Sequence, residues 1–572
     1  MNRIRINWKS ILSVFSLVTI LFVSCSVDKD TVDLVDDDDV TSTEDDSKVT
    51  VIGENHEEAA DYVWDSASVV GIVLNGSSIS VNGDGATVNG ATVTITAAGN
   101  YEITGTLNNG QIIVDTDDDE IVRLIFNGIN VTNTSNAPIN IANSEKTIVI
   151  LTENTTNYLT DASSYVFASG EDEPNATLYS ADDLTIYGEG TLIIDSNYND
   201  AITSKDGLLI KSGTINITSV DDGIRGKDYL YIMDGNITIT AGGDGFKSDN
   251  GDDANNGYII IESGTFNITS GGDAISAASN VQITTGDFTI KSGGGSSSSL
   301  SSSISAKGIK ADLDIIIEDG VFNINSADDT IHSGNEITIE SGTFELASGD
   351  DAIHSDGVII INGGAININS DEGIESPSIT INDGEINIVT SDDAINAAGN
   401  STNYLYINGG YIVLTCSGDG LDSNGNIEMT AGTVIINGPT AANNSTLDYD
   451  GTFNLNGGYI IGTGYASNME EIGSTTSNQY SLIVKLTSAQ SAGNLFHIED
   501  SSGENIVTFK PAKKYQSIVF SSSKLSSGST YKIYLGGSST GSEINGLYEN
   551  GTYSPGSLYK SFTISNKVTT VN

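Results

Sequence analysis

The chain has 572 residues and carries 76 acidic against 23 basic side chains, a formal net charge of −53 at pH 7. A field of that sign disfavours nucleic acid as a partner, and two cysteines leave neither a disulfide scaffold nor a cysteine-based zinc site. Six prolines fit an all-β chain whose strands donate nearly every backbone N–H to a neighbour, and an aromatic share of 7% fits a core of aliphatic and Asn/Ser/Thr ladders.

Residues 1–25 read as a targeting segment. Arg3, Arg5 and Lys9 precede the apolar run Ile11–Val23, which is too short to span a bilayer and fits a signal peptide. Phe22-Val23-Ser24-Cys25 resembles a bacterial lipobox, which implies lipidation of Cys25 and anchoring at an outer membrane or cell surface, with no other membrane contact. Phe22 stands where Leu is usual, so ordinary secretion is the alternative. Residues 26–61, with Asp36 to Asp39 in their middle, read as an acidic disordered tether.

Residues 62–467 read as a parallel β-helix with rungs of about 22 residues. As far as residue 200 the strand alternation is irregular, and an N-terminal cap is expected because an open β-helix end is a bare sheet edge. The regular part opens at Asp200-Ala201-Ile202, and the same phrase returns at Asp222-Gly223-Ile224, Asp244-Gly245-Phe246, Asp273-Ala274-Ile275, Lys307-Gly308-Ile309, Asp329-Thr330-Ile331, Asp351-Ala352-Ile353, Glu372-Gly373-Ile374, Asp393-Ala394-Ile395 and Asp419-Gly420-Leu421. Two longer steps hold insertions, one at 251–257 and a Ser-rich one at 293–303. Between these phrases come two short β-branched strands separated by a glycine turn, as in LLIKSGTINITS and YIIIESGTFNITS. Three strands and three turns make one coil, and stacking coils about 4.8 Å apart buries Ile on Ile along the axis. From residue 468 the rhythm stops, and 468–572 read as a small C-terminal all-β module that also caps the helix. Cys416, in a coil strand, reads as a small buried hydrophobe.

The acids recur at one corner of successive coils. Like charges stacked about 5 Å apart repel by about 3–4 kcal/mol per pair at an effective dielectric of 20, so the column needs counterions or donors. Ca²⁺ suits it, being hard and tolerant of many oxygen ligands. The candidate calcium ligands are Asp200, Asp221, Asp222, Asp244, Asp249, Asp252, Asp253 and Asp273. The alternative is that these side chains cap turns through backbone N–H groups.

The residue after each Ile faces the opposite way. Down the ladder it is Thr203, Arg225, Lys247, Ser276, Lys310, His332, His354, Glu375, Asn396 and Asp422. The middle of that column is cationic or titratable. Arg225, Lys227, Lys247, Lys310, His332 and His354 are therefore candidate ligands for an acidic sugar polymer, with chance clustering as the alternative. Tyr179, Tyr198, Tyr229 and Tyr231 are candidate sugar-stacking rings, although Tyr in strands more often packs.

The stretches NYNDAITSKDGLLIKSGTINIT, DDGIRGKDYLYI and AGGDGFKSDN resemble the bacterial carbohydrate-binding parallel β-helix family first described in a cellulose-degrading clostridium. The resemblance covers about residues 85–465, and the segment TFKPAKKYQSIVFSSSKLSSGSTYKIYLGG is similar to tails seen in that family. It implies a right-handed, single-stranded parallel β-helix with bound calcium, shaped like a polysaccharide lyase, that binds plant cell-wall polysaccharide, including acidic, pectin-like chains, without established cleavage. The Ser-rich insertion at 293–303 is atypical of the family.

Non-catalytic, calcium-dependent binding of a cell-wall polysaccharide, acidic (polygalacturonate-like) or else cellulosic, by a surface-anchored monomer is the leading expectation. A pectate-type lyase is the first alternative, with calcium acidifying the proton beside a uronate carboxylate and Lys247 or Arg225 removing it. A structural surface adhesin is the second.

Overall fold

A four-residue apolar strand buries little alone, and in the computed structural model these strands stack in register. The structure describes residues 53, 55–167, 169–301, 303–466 and 472–572; Cys25 and nearly all of the expected tether lie outside the described residues. The rest is an all-β solenoid of about 15 turns followed by a C-terminal sheet module.

Each regular coil contributes three strands, giving three parallel stacks. The first stack carries the corner phrase, as in Asp200–Ser204, Ile224–Gly226 and Phe246–Ser248. In it Ile202 pairs with Ile224, Ile224 with Phe246, Phe246 with Ile275, and the column continues through Ile309, Ile331, Ile353, Ile374 and Ile395 to Leu421. Every member is fully buried, at about 1.5–3 kcal/mol of transfer free energy each. The second stack contains Gly207–Ile210, Tyr229–Ile232 and Tyr258–Ile261, and the third Thr214–Ser219, Asn236–Ala241 and Thr265–Ser270. Strands of the third stack alternate strictly between buried and outward residues.

A glycine turns the chain from the second stack to the third. At Gly342, φ is +120°, and a Cβ there would meet Cε2 of Phe344 at 2.9 Å and the Gly320 carbonyl at 3.1 Å. Those turns lie against a feature absent from the expected aliphatic core. Phe266, Phe288, Phe322 and Phe344 stack face to face, with ring centroids 4.8, 4.8 and 4.7 Å apart. The signal was a Phe two residues after the turn glycine in four consecutive coils.

Both ends of the ladder are closed by reversing strand direction. At the start Ala86–Asn89 folds back antiparallel on Thr92–Ile95. At the end Tyr459–Gly464 pairs antiparallel with Tyr515–Ser521, which also carries Ser481–Gln490. A six-stranded antiparallel sheet completes the C-terminal module. Cys416 is fully buried, and burial pushes its thiol up to about 12.

The expected tether boundary at residue 61 is corrected. Residues 55–62 dock on the flank of the solenoid. His56 Nε2 lies 2.7 Å from Thr185 Oγ1 and its Nδ1 2.5 Å from the Tyr229 hydroxyl. Lys211 pairs with Glu57 at 2.5 Å, and Arg123 donates to the Ala60 carbonyl at 2.8 Å. Asp61 is fully buried, 3.3 Å from Lys146 Nζ. The partners lie up to 173 residues away in sequence, so local composition carries no trace of them.

Candidate functional site

The corner carboxylates do two things at once. One oxygen of each accepts a backbone N–H from the next coil: Asp222 N donates to Asp200 at 3.2 Å, Asp244 N to Asp222 at 2.8 Å, Asp273 N to Asp244 at 2.8 Å, Lys307 N to Asp273 at 2.7 Å and Asp351 N to Asp329 at 3.2 Å. Turn capping is thus the commonest role of the column, and it ties coil to coil.

In Asp200, Asp222, Asp244 and Asp329 the other oxygen meets a basic side chain of the neighbouring column, as one oxygen of Asp351 does. That column has the expected register, Thr203 beside Arg225, Arg225 beside Lys247, and Lys310, His332, His354, Glu375 and Asn396 in succession. Lys247 Nζ lies 3.0 Å from Asp222 and 2.9 Å from Asp244. Arg225 forks onto Asp249 at 2.7 and 3.2 Å and reaches Asp200 at 3.8 Å. Lys307, outside the column, bridges Asp328 and Asp329 at 2.8 Å each. His332 and His354 bind Asp329 and Asp351 through Nδ1 at 2.8 and 2.7 Å. Lys310 sits 3.4 Å from Asp312, while Lys227 forms no ion pair among the described residues.

This corrects the expected basic strip. Most of its cations are internal counterions of the acidic corner and are not free to hold an acidic polymer. It also bears on the proposed base. Burial pulls the Lys247 ammonium down, but Asp222 and Asp244 outweigh it and hold its pKa above the ordinary lysine value, the reverse of what proton abstraction near neutrality requires. Arg225 is likewise held above its ordinary value by Asp249, against the pull of burial.

The expected calcium residues are only partly brought together. Asp200, Asp221 and Asp222 each place an oxygen within 4.8 Å of the others, and burial and then Asp222 push Asp200 up to about 7. Asp244 is held by Lys247, Asp249 by Arg225, and Asp273 by Ser305 and the Lys307 amide. Asp252 and Asp253 sit on an exposed loop whose turn is closed by Asn250.

Downstream the balance differs. Asp351, Glu372 and Glu375 form one three-carboxylate group and Asp393, Asp419 and Asp422 another, each with oxygens within 4.8 Å. No Lys or Arg pairs with these six within 4 Å among the described residues. Glu372 Oε2 is buried without a hydrogen-bond partner, and burial followed by Glu375 pushes Glu372 well above the usual carboxylate range. Burial and Asp393 push both Asp419 and Asp422 up to about 7. These donors, all hard oxygens in excess of local positive charge, fit Ca²⁺ better than the upstream cluster does.

The four candidate stacking tyrosines pack. Tyr179 bonds Glu173 and Tyr231 bonds Glu262, both at 2.5 Å; Tyr198 stacks on Tyr165 at 4.2 Å, and Tyr229 on Tyr258 at 5.3 Å. A surface unnoticed in the sequence lies on the outward face of the third stack. Across Val321–Ser326, Thr343–Ser348, Ala365–Ser370 and Glu385–Thr390 runs a groove of about 670 Å³ lined by Asn323, Asn325, Glu345, Asn367, Asn369 and Asn387. Asn323, Glu345, Asn367 and Asn387 fall in one register column, one per coil. Its signal was Asn at alternate positions of the repeated phrases FNINS, ININS and INIVT.

The molecule is thus a β-solenoid with an amide-rich groove along the coils of its third stack. The chain belongs to the family described as carbohydrate-binding domain-containing protein, whose sequence model matches residues 89–352 and 350–479. A protein of that description from Acetivibrio thermocellus is 42% identical over 124 residues, 22% of this chain and 43% of the relative, so the match spans less than half of that protein. A solved structure described as a polysaccharide lyase-like protein from C. thermocellum, as a gadolinium derivative, is 38% identical; it covers 39% of this chain and 92% of its own, with a TM-score of 0.39.

Proposed function

We propose that this protein is a non-catalytic polysaccharide-binding protein that lays a neutral, cellulose-like chain along the amide groove of the third stack. The groove carries the reading. Asn side chains supply both donors and acceptors to sugar hydroxyls, and amides on three of the four coils, with Glu345 on the other, offer a linear ligand repeated contacts. The single carboxylate in its lining, Glu345, receives the Asn367 amide at 2.8 Å. An acidic polygalacturonate-like chain is the poorer fit, because the net charge is −53 and the corner cations are already paired.

Calcium enters the reading as a structural ion at Asp351, Glu372 and Glu375 and at Asp393, Asp419 and Asp422. There it would neutralise stacked carboxylates that have no Lys or Arg partner, Asp351 being bonded by His354 alone among the basic side chains. A surface anchor at Cys25 completes the proposal, with the solenoid held outward on the preceding tether.

The test is affinity electrophoresis and pull-down of the full chain on cellulose and on polygalacturonate, with calcium and with EDTA, while absorbance is followed for unsaturated sugar. Retention on cellulose without product supports the reading. Release of unsaturated product would establish a lyase, and failure to bind either glycan would favour the structural adhesin.

A further inference from the structure

Two of the four histidines stand one coil apart on the outward face of the first stack, between the compensated upper corner and the uncompensated lower one. His332 and His354 are direct register partners, their rings 4.9 Å apart and tilted by 44°. One ring nitrogen of each lies within 4.8 Å of the other and of an Asp329 oxygen. Asp329 and Asp351 are buried acceptors, so each imidazole donates its Nδ1–H to the carboxylate three residues earlier. That bond fixes the tautomer and leaves Nε2 as the acceptor. Metal-binding histidines are held in the same way, with the second nitrogen donating to a carboxylate.

The Nε2 atoms have little else to do. His332 Nε2 makes no hydrogen bond among the described residues, and His354 Nε2 faces Oδ1 of the exposed Asp356 at 3.6 Å. On the coil of His332 the residue matching Asp356 is Gly334, which has no side chain to cover the pair. Asp329 is already bonded by Lys307 and His332, so it orients the ring and is not itself a ligand.

We propose that His332 and His354, with Asp356 as a third ligand, form an open binding site for a divalent transition ion of the zinc type. Two imidazoles and one carboxylate suit Zn²⁺, which takes nitrogen at about 2.0–2.1 Å, whereas Ca²⁺ prefers oxygen alone. The ion draws the two tilted rings together on their solvent side, and its remaining positions stay open to water or a sugar hydroxyl. This site is independent of the groove and shares Asp351, the acceptor of the His354 Nδ1–H, with the calcium proposal.

Calorimetric titration of the full chain with ZnCl₂ tests it. One ion per chain is expected, and Co²⁺ should give a visible d–d spectrum with nitrogen ligation. His332→Gln and His354→Gln should each lower the affinity roughly tenfold or more. Asp356→Asn, at an exposed position that folding does not depend on, should lower it several-fold and keeps the test decisive if a histidine variant misfolds. Zinc affinity unchanged in the double histidine variant and in Asp356→Asn would overturn the site, as would equal competition by CaCl₂.

Discussion

Lys247 holds two carboxylates that are largely shielded from water, and its removal leaves both without a counterion. Lys247→Met is expected to destabilise the chain by about 2–3 kcal/mol, below the full value for a buried pair because the lysine is partly exposed; thermal melting measures it. An unchanged Tm would mean that the ion triad contributes only local order. The downstream carboxylates behave oppositely with pH. Asp419 and Asp422 have folded values raised to about 7. Their contribution is therefore present below the ordinary carboxylate value and is lost as pH rises through about 7. His354, raised to about 9, adds a loss in the same direction as pH rises through that value. In EDTA the Tm should accordingly fall between about pH 5 and pH 9, and calcium should restore it mainly at the alkaline end. A Tm that is flat with pH, or indifferent to calcium at pH 8, would contradict the cation-poor corner. The positions of these side chains were legible in the sequence, because the strand period of two assigns Ile353 inward and His354 outward. Their pairing was not. Whether Lys247 faces a sugar or Asp222 depends on side-chain reach across coils, and Lys307, the counterion of Asp329, lies outside the column that the periodicity marks.

At the scale of the strand and its stack, the core is redundant along the axis, so damage should stay local. Phe322 sits inside the four-ring stack with neighbours at 4.8 and 4.7 Å. Phe322→Ala is expected to cost about 3–5 kcal/mol, and hydrogen exchange should rise mainly in the coils on either side of it, because each coil contacts only its neighbours. Uniform deprotection of the whole solenoid would contradict that. The coil itself was readable from the sequence, since the 22-residue step fixes the register of the Ile column from residue 202 to residue 395. The Phe stack spans only four coils and the Asn column is interrupted by Glu345, so both are fainter in the sequence than the acids at the corner.

For the whole molecule, the ends matter most. The last parallel strand, Tyr459–Gly464, is covered by Tyr515–Ser521 running the other way, so truncation before residue 480 would bare an apolar sheet edge. Light scattering should show the truncated chain self-associating where the full chain does not. The module was expected to cap the helix, but its antiparallel pairing was not readable, since its strands lack any period. The docked segment 55–62 was hidden more completely, because its partners are spread from Arg123 to Tyr229. The central claim concerns the groove, and one comparison tests it most directly. Retention of the full chain on cellulose should be measured beside the double variant Asn369→Ala, Asn387→Ala, whose side chains are exposed and make no hydrogen bonds of their own within the described residues. Polysaccharide binding along the third stack requires clearly weakened retention by the variant at unchanged Tm. Equal retention by both proteins would place the sugar elsewhere.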